Sequence, residues 1–157
     1  RDPACLASDL VASRTDSRIK LYLIYKVLNY RREHPGLFTT GDYVPLDGMG
    51  SRREHLCAFL RKNDDAQVVI VAPRLVAGLV GLAGHAPLGA EVWNDTRLVL
   101  PADFAGADVS NLLTGERLGV AGDSGKPSLP LADVLRTFPV AFVEKSAPSF
   151  AMHASTC

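Results

Sequence analysis

The residues able to do chemistry are spread along the chain, and each can be weighed by what its chemistry requires. Ser124 lies in Gly122-Asp123-Ser124-Gly125-Lys126-Pro127. A nucleophilic serine needs a histidine to take its proton, an aspartate to orient that histidine, and backbone N–H groups for the oxyanion. His55 and His85 are the only plausible bases. Gly, Asp and Ser are also turn formers for steric reasons, so the plainer reading is a solvated turn, and Ser124 is not expected to be a nucleophile. His34, His55, His85 and His153 show no His-x-x-x-His or His-Glu-x-x-His spacing, the pattern that sets two imidazoles on one metal. Ordinary surface roles are expected for all four, with His34 at a helix C-terminus, where a cation is favoured. Glu91, Asp95, Asp103 and Asp108 could pair as general acid and base, although carboxylates near turns are usually solvated or capping. Trp93 either stacks on a sugar face or seals the edge of a core. Arg74 follows an apolar run and either binds an anion or forms an ion pair within the protein. Trp93 and Arg74 are therefore the candidate substrate-binding residues. No catalytic residue, metal ligand or cofactor is assigned.

The composition narrows the class. The chain has 157 residues, 47% of them hydrophobic and 22% charged, which suits a globular protein with a sizeable core. Its formal net charge is zero. Nucleic-acid affinity comes mainly from cations that neutralise phosphates, so nucleic acid is an unsuitable partner. Cys5, Cys57 and Cys157 are odd in number and far apart, which is neither a disulfide framework nor a zinc site and fits a reducing compartment. No signal peptide and no membrane span is read, and a cytoplasmic location is expected. The chain opens on Arg1 rather than Met, and we read it as a fragment or a processed product.

The elements that must position these residues begin with a long helix over about residues 17–34. Asp16 or Ser17 can cap it, nothing from Ile19 to Glu33 breaks it, and Pro35 with Gly36 should end it, Gly36 in a left-handed cap. Ile19, Leu23, Val27 and Tyr30 line one face. Leu21, Ile24, Tyr25 and Leu28 cover much of the rest, so this helix should be buried on most sides, between two bodies of protein. Tyr22, Tyr25 and Tyr30 should pack it against its neighbours. Residues Pro3 to Ser13 form a shorter helix before it.

Past Pro35 the period becomes strand-like, marking a domain boundary. Tyr43-Val44-Pro45-Leu46 is an edge strand, because Pro45 cannot donate to a ladder. His55–Arg61 and the β-branched run Val68–Ala72, joined through Asn63-Asp64-Asp65, form a hairpin, the second strand buried on both faces. The Gly-rich stretch Arg74–Leu88 is a loop with one helical turn. Further strands follow at Arg97–Leu100, Val109–Leu113 and Pro139–Val143, with a short helical piece at Ala132–Arg136. The fold class is thus mainly β: an N-terminal long α-helix, then an antiparallel β-sandwich whose core draws on Val69, Ile70, Val71, Leu98, Leu100, Phe142 and Val143. The expected organisation is a helical segment over 1–38, a sandwich domain over 39–145 and a disordered tail over 146–157.

Two resemblances bear on function. Gly122–Pro127 resembles the Gly-Asp-Ser-Gly-Gly-Pro of chymotrypsin-like serine proteases. Neither histidine has that family's Ala-Ala-His-Cys setting, and Lys126 stands where the pattern has its last Gly. The second resemblance covers about Asp16 to Val143. Asp16-Ser17-Arg18-Ile19-Lys20-Leu21 is similar to the Asp-Gly-Arg-Ile-Lys-Leu segment of maltooligosyl trehalose synthases, with Ser17 for the usual Gly and Tyr25 for the common Trp. Arg31–Phe38 with Gly41–Leu46 resembles the last barrel helix and first C-domain strand of α-amylase-type enzymes. Val71–Leu75, Trp93–Leu98, Leu112–Gly115 and Phe138–Ala141 continue the match in the family's order. The resemblance implies the C-terminal domain of an enzyme that turns the reducing-end α-1,4 bond of a maltooligosaccharide into an α,α-1,1 bond. It also implies that the aspartate nucleophile and glutamate acid/base sit on a (β/α)8 barrel N-terminal to this chain. That barrel, on the same polypeptide, is the expected partner and the route to substrate, and no catalytic residue carries over onto any position here. The isolated chain is expected to be inactive and to self-associate through the 17–34 helix. The readings weighed against this are a free-standing hydrolase built on Ser124 and a carbohydrate-binding module.

Overall fold

The structure, a computed structural model, describes residues 2–81, 84–122 and 126–146. The chain begins with three helices. In α1 (Pro3–Ala12) the proline takes an early position whose missing N–H costs nothing, and the Asp2 carboxylate accepts the Ala4 N–H. The long helix α2 spans Arg18–Glu33. Its start is held by Asp16, which accepts the Arg18 N–H at 3.0 Å, while Ser17 makes no side-chain capping bond. Its end differs from expectation. His34 leaves the α region as a residue before proline should (φ −123°, ψ 58°), but Pro35 then starts a new helix, α3 (Pro35–Thr39), with Gly36 inside it rather than in a left-handed cap. The Gly36 carbonyl accepts the N–H groups of both Thr40 and Gly41, and these two hydrogen bonds cap the end of α3.

Among the described residues nine strands follow: β1 (Asp42–Leu46), β2 (Gly48–Met49), β3 (Leu56–Lys62), β4 (Gln67–Pro73), β5 (Arg97–Val99), β6 (Val109–Asn111), β7 (Arg117–Leu118), β8 (Ser128–Pro130) and β9 (Ala141–Lys145). Short α-helices interrupt them at α4 (Val76–Val80), α5 (Gly89–Trp93) and α6 (Leu131–Val134). The strands form one six-stranded sheet, β1-β3-β4-β9-β6-β7, and one three-stranded sheet, β2-β5-β8, and every pairing is antiparallel. β1 lies at an edge, as Pro45 demands. The β3–β4 hairpin pairs Leu60 with Val69 and Ala58 with Val71, and the Asn63 side chain accepts the Asp65 and Ala66 N–H groups to turn the chain. Gly50 must be glycine: at φ 101° a Cβ would stand 2.7 Å from the Asp95 carbonyl oxygen.

The sheets enclose one core, and the helices make a second on the far face of the larger sheet. Between the sheets lie Leu56, Ala58 and Leu60 of β3, Val69 and Val71 of β4, Leu98, Leu129 and Val143. Beneath the helices lie Ala7, Leu10, Val11, Tyr30, Leu37, Val68 and Phe142. Alternation explains the division, since neighbours along a strand point to opposite faces. It also corrects two expectations. Ile70 is only half-buried, because it faces the helical side where the layer is incomplete. Phe142 belongs to the helical core, not to the core between the sheets. Two strands are also displaced from expectation, β6 ending at Asn111 and β9 starting at Ala141. The tail from residue 147 onward lies outside the described residues.

α2 is the main departure. Only Tyr30 is fully buried, whereas Leu21 is 67% exposed, Ile24 54%, Tyr25 64% and Leu28 56%. The apolar residues around this helix are therefore covered on one side only, and Tyr25, expected to pack the helix against a neighbour, is exposed instead.

Candidate functional site

Of the residues with chemical potential, Trp93 is wholly buried at the end of α5, and its Nε1–H donates to the Pro87 carbonyl at 2.9 Å. Its ring offers no face to a sugar. The Arg74 side chain is exposed and pairs with no carboxylate among the described residues, against the ion pair expected. What Arg74 does in the fold is done by its backbone. Its N–H donates to the His55 carbonyl at 2.7 Å, and its carbonyl lies 3.3 Å from His55 Nδ1. His55 is buried, not the surface residue expected, because a short 3-10 turn (Arg53–His55) tucks the ring beneath α4. Its Nε2 lies 3.5 Å from the Glu54 carboxylate. His34 stacks on Tyr30 with ring centroids 4.3 Å apart, and His85 is exposed. Ser124 and His153 lie outside the described residues.

The carboxylates have structural work. Asp95 accepts both the hydroxyl and the N–H of Ser51, at 2.6 and 3.0 Å, and those bonds hold its pKa below the ordinary carboxylate value. Glu91 is exposed on α5. The structure brings Asp103 and Asp108 to one polar hollow of about 610 Å³, with Arg117 and Lys145. Lys145 Nζ sits 3.0 Å from Asp103 Oδ2 and 4.8 Å from the centroid of the Phe104 ring. Partial burial pushes the Asp103 carboxyl up, but hydrogen bonds from Lys145 and Gln67 outweigh it, so the group titrates below its usual value. A carboxylate held ionised in this way makes a poor general acid near neutrality. Among the described residues no group of three His, Cys, Asp or Glu side chains could hold a metal ion.

A second concavity is apolar. A groove of about 500 Å³ runs between α2 and the outer face of the larger sheet. Leu23, Ile24, Val27 and Leu28 form one wall, and Phe59, Ile70 and Ala72 are among the residues of its floor. Among the described residues Arg61 is the only charged side chain in the lining, and its guanidinium donates to the Leu37 and Phe38 carbonyls. Tyr43 extends the apolar surface along β1, stacked on Phe59 at 4.9 Å and itself exposed. With no free polar group inside, the groove suits an apolar surface rather than a reacting substrate. No sequence pattern joins Phe59 and Ile70 to α2. The one advance signal is the spacing of Leu21, Ile24 and Leu28 on the helix.

The architecture is that of a helix-covered antiparallel β-sandwich, and a solved structure shares it. Over 90% of its length the chain is similar to a point mutant of maltooligosyltrehalose synthase from Arthrobacter ramosus, with 24% identity and a TM-score of 0.59. Over 76% of its length it is similar to a maltogenic α-amylase from Thermotoga neapolitana, with 11% identity and a TM-score of 0.46. The matches span 17% of the synthase chain and 23% of the amylase chain, so this chain covers a small part of either. The likeness to the synthase establishes the fold, a mainly antiparallel sheet structure with a few helices. No family model and no curated protein matches the chain. No helix among the described residues is long and apolar enough to cross a membrane.

Proposed function

We propose that this chain is the non-catalytic C-terminal region of an α-amylase-type glycoside hydrolase relative acting as a maltooligosyl trehalose synthase. The observation that carries the reading is the shared fold along 90% of the chain, running through the segments whose residues resemble that family in order. In this reading residues 1–38 end a (β/α)8 barrel, residues 39–145 form the sandwich domain, and the enzyme is cytoplasmic. The barrel, upstream on the same polypeptide, supplies the nucleophile and acid/base and holds the maltooligosaccharide. The parent rearranges the reducing-end α-1,4 bond to α,α-1,1 by intramolecular transglucosylation, in the service of trehalose synthesis. The chain itself does not perform the reaction. Asp95 and Asp103 are committed to Ser51 and Lys145, and Trp93 has no exposed ring face.

Two measurements test this. Purified chain incubated with maltopentaose should yield no trehalose-capped product, and appearance of that product would overturn the non-catalytic reading. The coding sequence upstream of Arg1 should encode a (β/α)8 barrel in the same frame. A stop codon followed by an initiating methionine just before Arg1 would overturn the parent enzyme altogether.

A further inference from the structure

We infer that the apolar groove beside α2 receives an amphipathic α-helix with an acidic rim, supplied from outside these 157 residues. The first argument is the incomplete layer. α2 roofs the larger sheet over β9, where Tyr30 packs on Phe142 and bonds Glu144. Over β3 and β4 the same sheet face, with Phe59 and Ile70, opens into the groove. Helices pack side by side at about 8–10 Å between axes, so a second helix laid along α2 covers that floor and the open flank of α2 together.

The second argument is spacing. Leu21, Ile24 and Leu28 follow one another at intervals of three and four residues, and all three are more than half exposed. That is the seam by which one helix receives the side chains of another. Ile24 and Leu28 belong to both the seam and the groove wall, so the two surfaces are continuous. A sugar chain would find almost no hydrogen-bonding group there.

Charge identifies the occupant. Lys20, Arg31 and Arg32, all exposed, stand three or four residues along the helix from Ile24 or Leu28 and so flank the seam. A second copy of α2 would bring the same cations against them, and like charges across an interface oppose docking. Carboxylates along the edges of an apolar helix complement the rim. The inference goes beyond the functional reading and does not depend on it, because it specifies the structure and charge of the partner surface, not its activity.

The test uses the full chain and two synthetic helical peptides with the same leucine seam, one flanked by glutamates and one by lysines. The glutamate peptide should bind about tenfold or more tightly than the lysine peptide at low ionic strength, and added salt should narrow the gap. Leu28→Glu should weaken binding about tenfold or more with an unchanged far-UV spectrum and Tm. Amide-exchange protection on binding should map to residues 21–28 and to β3 and β4. Equal affinity for the two peptides, protection elsewhere, or a dimer of the chain that the glutamate peptide fails to dissociate would each overturn the proposal.

Discussion

Tyr30 fixes α2 to the sheet through two kinds of contact from one side chain. Its ring meets Phe142 edge-on at 5.1 Å, and its hydroxyl donates to the Glu144 carboxylate at 2.9 Å. Burial, then the bond to Glu144 and the charge of that carboxylate, push the phenol pKa up, so it stays a donor across the working pH range. Tyr30→Phe keeps the ring and removes the bond. It should cost about 0.5–1.5 kcal/mol in urea unfolding, and an unchanged midpoint would show that the bond contributes nothing. Asp103 is the residue to watch in acid. Its folded pKa is depressed, so its contribution is fully present above the unfolded value of about 3.9 and is lost as pH falls through the lower folded value. Asp103 is about half exposed, so solvent screening keeps the effect below about 1 kcal/mol. Asp103→Asn should lower stability at pH 7 by that small amount and flatten the loss below about pH 4. A wild-type acid profile in the variant would assign the pH dependence to other groups. Trp93 belongs to the core, and Trp93→Ala should cost about 3–5 kcal/mol, read from the denaturation midpoint. A loss below about 0.5 kcal/mol, the range of surface sites, would contradict its burial.

Among the elements, β4 shows what pattern reveals and what it hides. The run Val68–Ala72 marks a buried strand in any reading, and Asn63–Asp65 marks the turn before it, so the β3–β4 hairpin was legible. The two faces of β4 were not equally legible. Val69 and Val71 meet the second sheet, whereas Ile70 and Ala72 meet an unfinished helical layer, and no local signal states how far α2 reaches across the sheet. Val69→Ala should therefore cost about 1–3 kcal/mol and Ile70→Ala less. The reverse order, measured by chemical denaturation, would mean that the groove is closed in solution. Strands as short as β2 and β7 escaped notice because two residues carry no period. His55 escaped as a buried residue because its burial comes from α4, more than twenty positions later in the chain. The groove itself joins Ile24, Phe59 and Ile70 through tertiary packing alone, while only its helical wall left a trace in the sequence.

At the scale of the whole molecule, stability and exposed apolar surface are separable. Leu21 is 67% exposed and lines neither core, so Leu21→Lys should leave the unfolding free energy within about 0.5 kcal/mol. A larger loss would show that the outer flank of α2 is covered in the isolated chain. The two cores, by contrast, cannot be separated, because Val68 lies in one and Val69 in the other. The same division holds in β9, where Phe142 and Val143 point to opposite sides. This has a consequence for how the protein comes into being on the ribosome. The β3–β4 hairpin is local and can pair as soon as it emerges, but β4 gains its other neighbour only from residues about seventy positions later, Val69 against Val143. Closing so long a loop is slow. Until Ala141–Lys145 leave the exit tunnel, β4 stands as an open edge whose backbone N–H and C=O groups have no strand to pair with on that side.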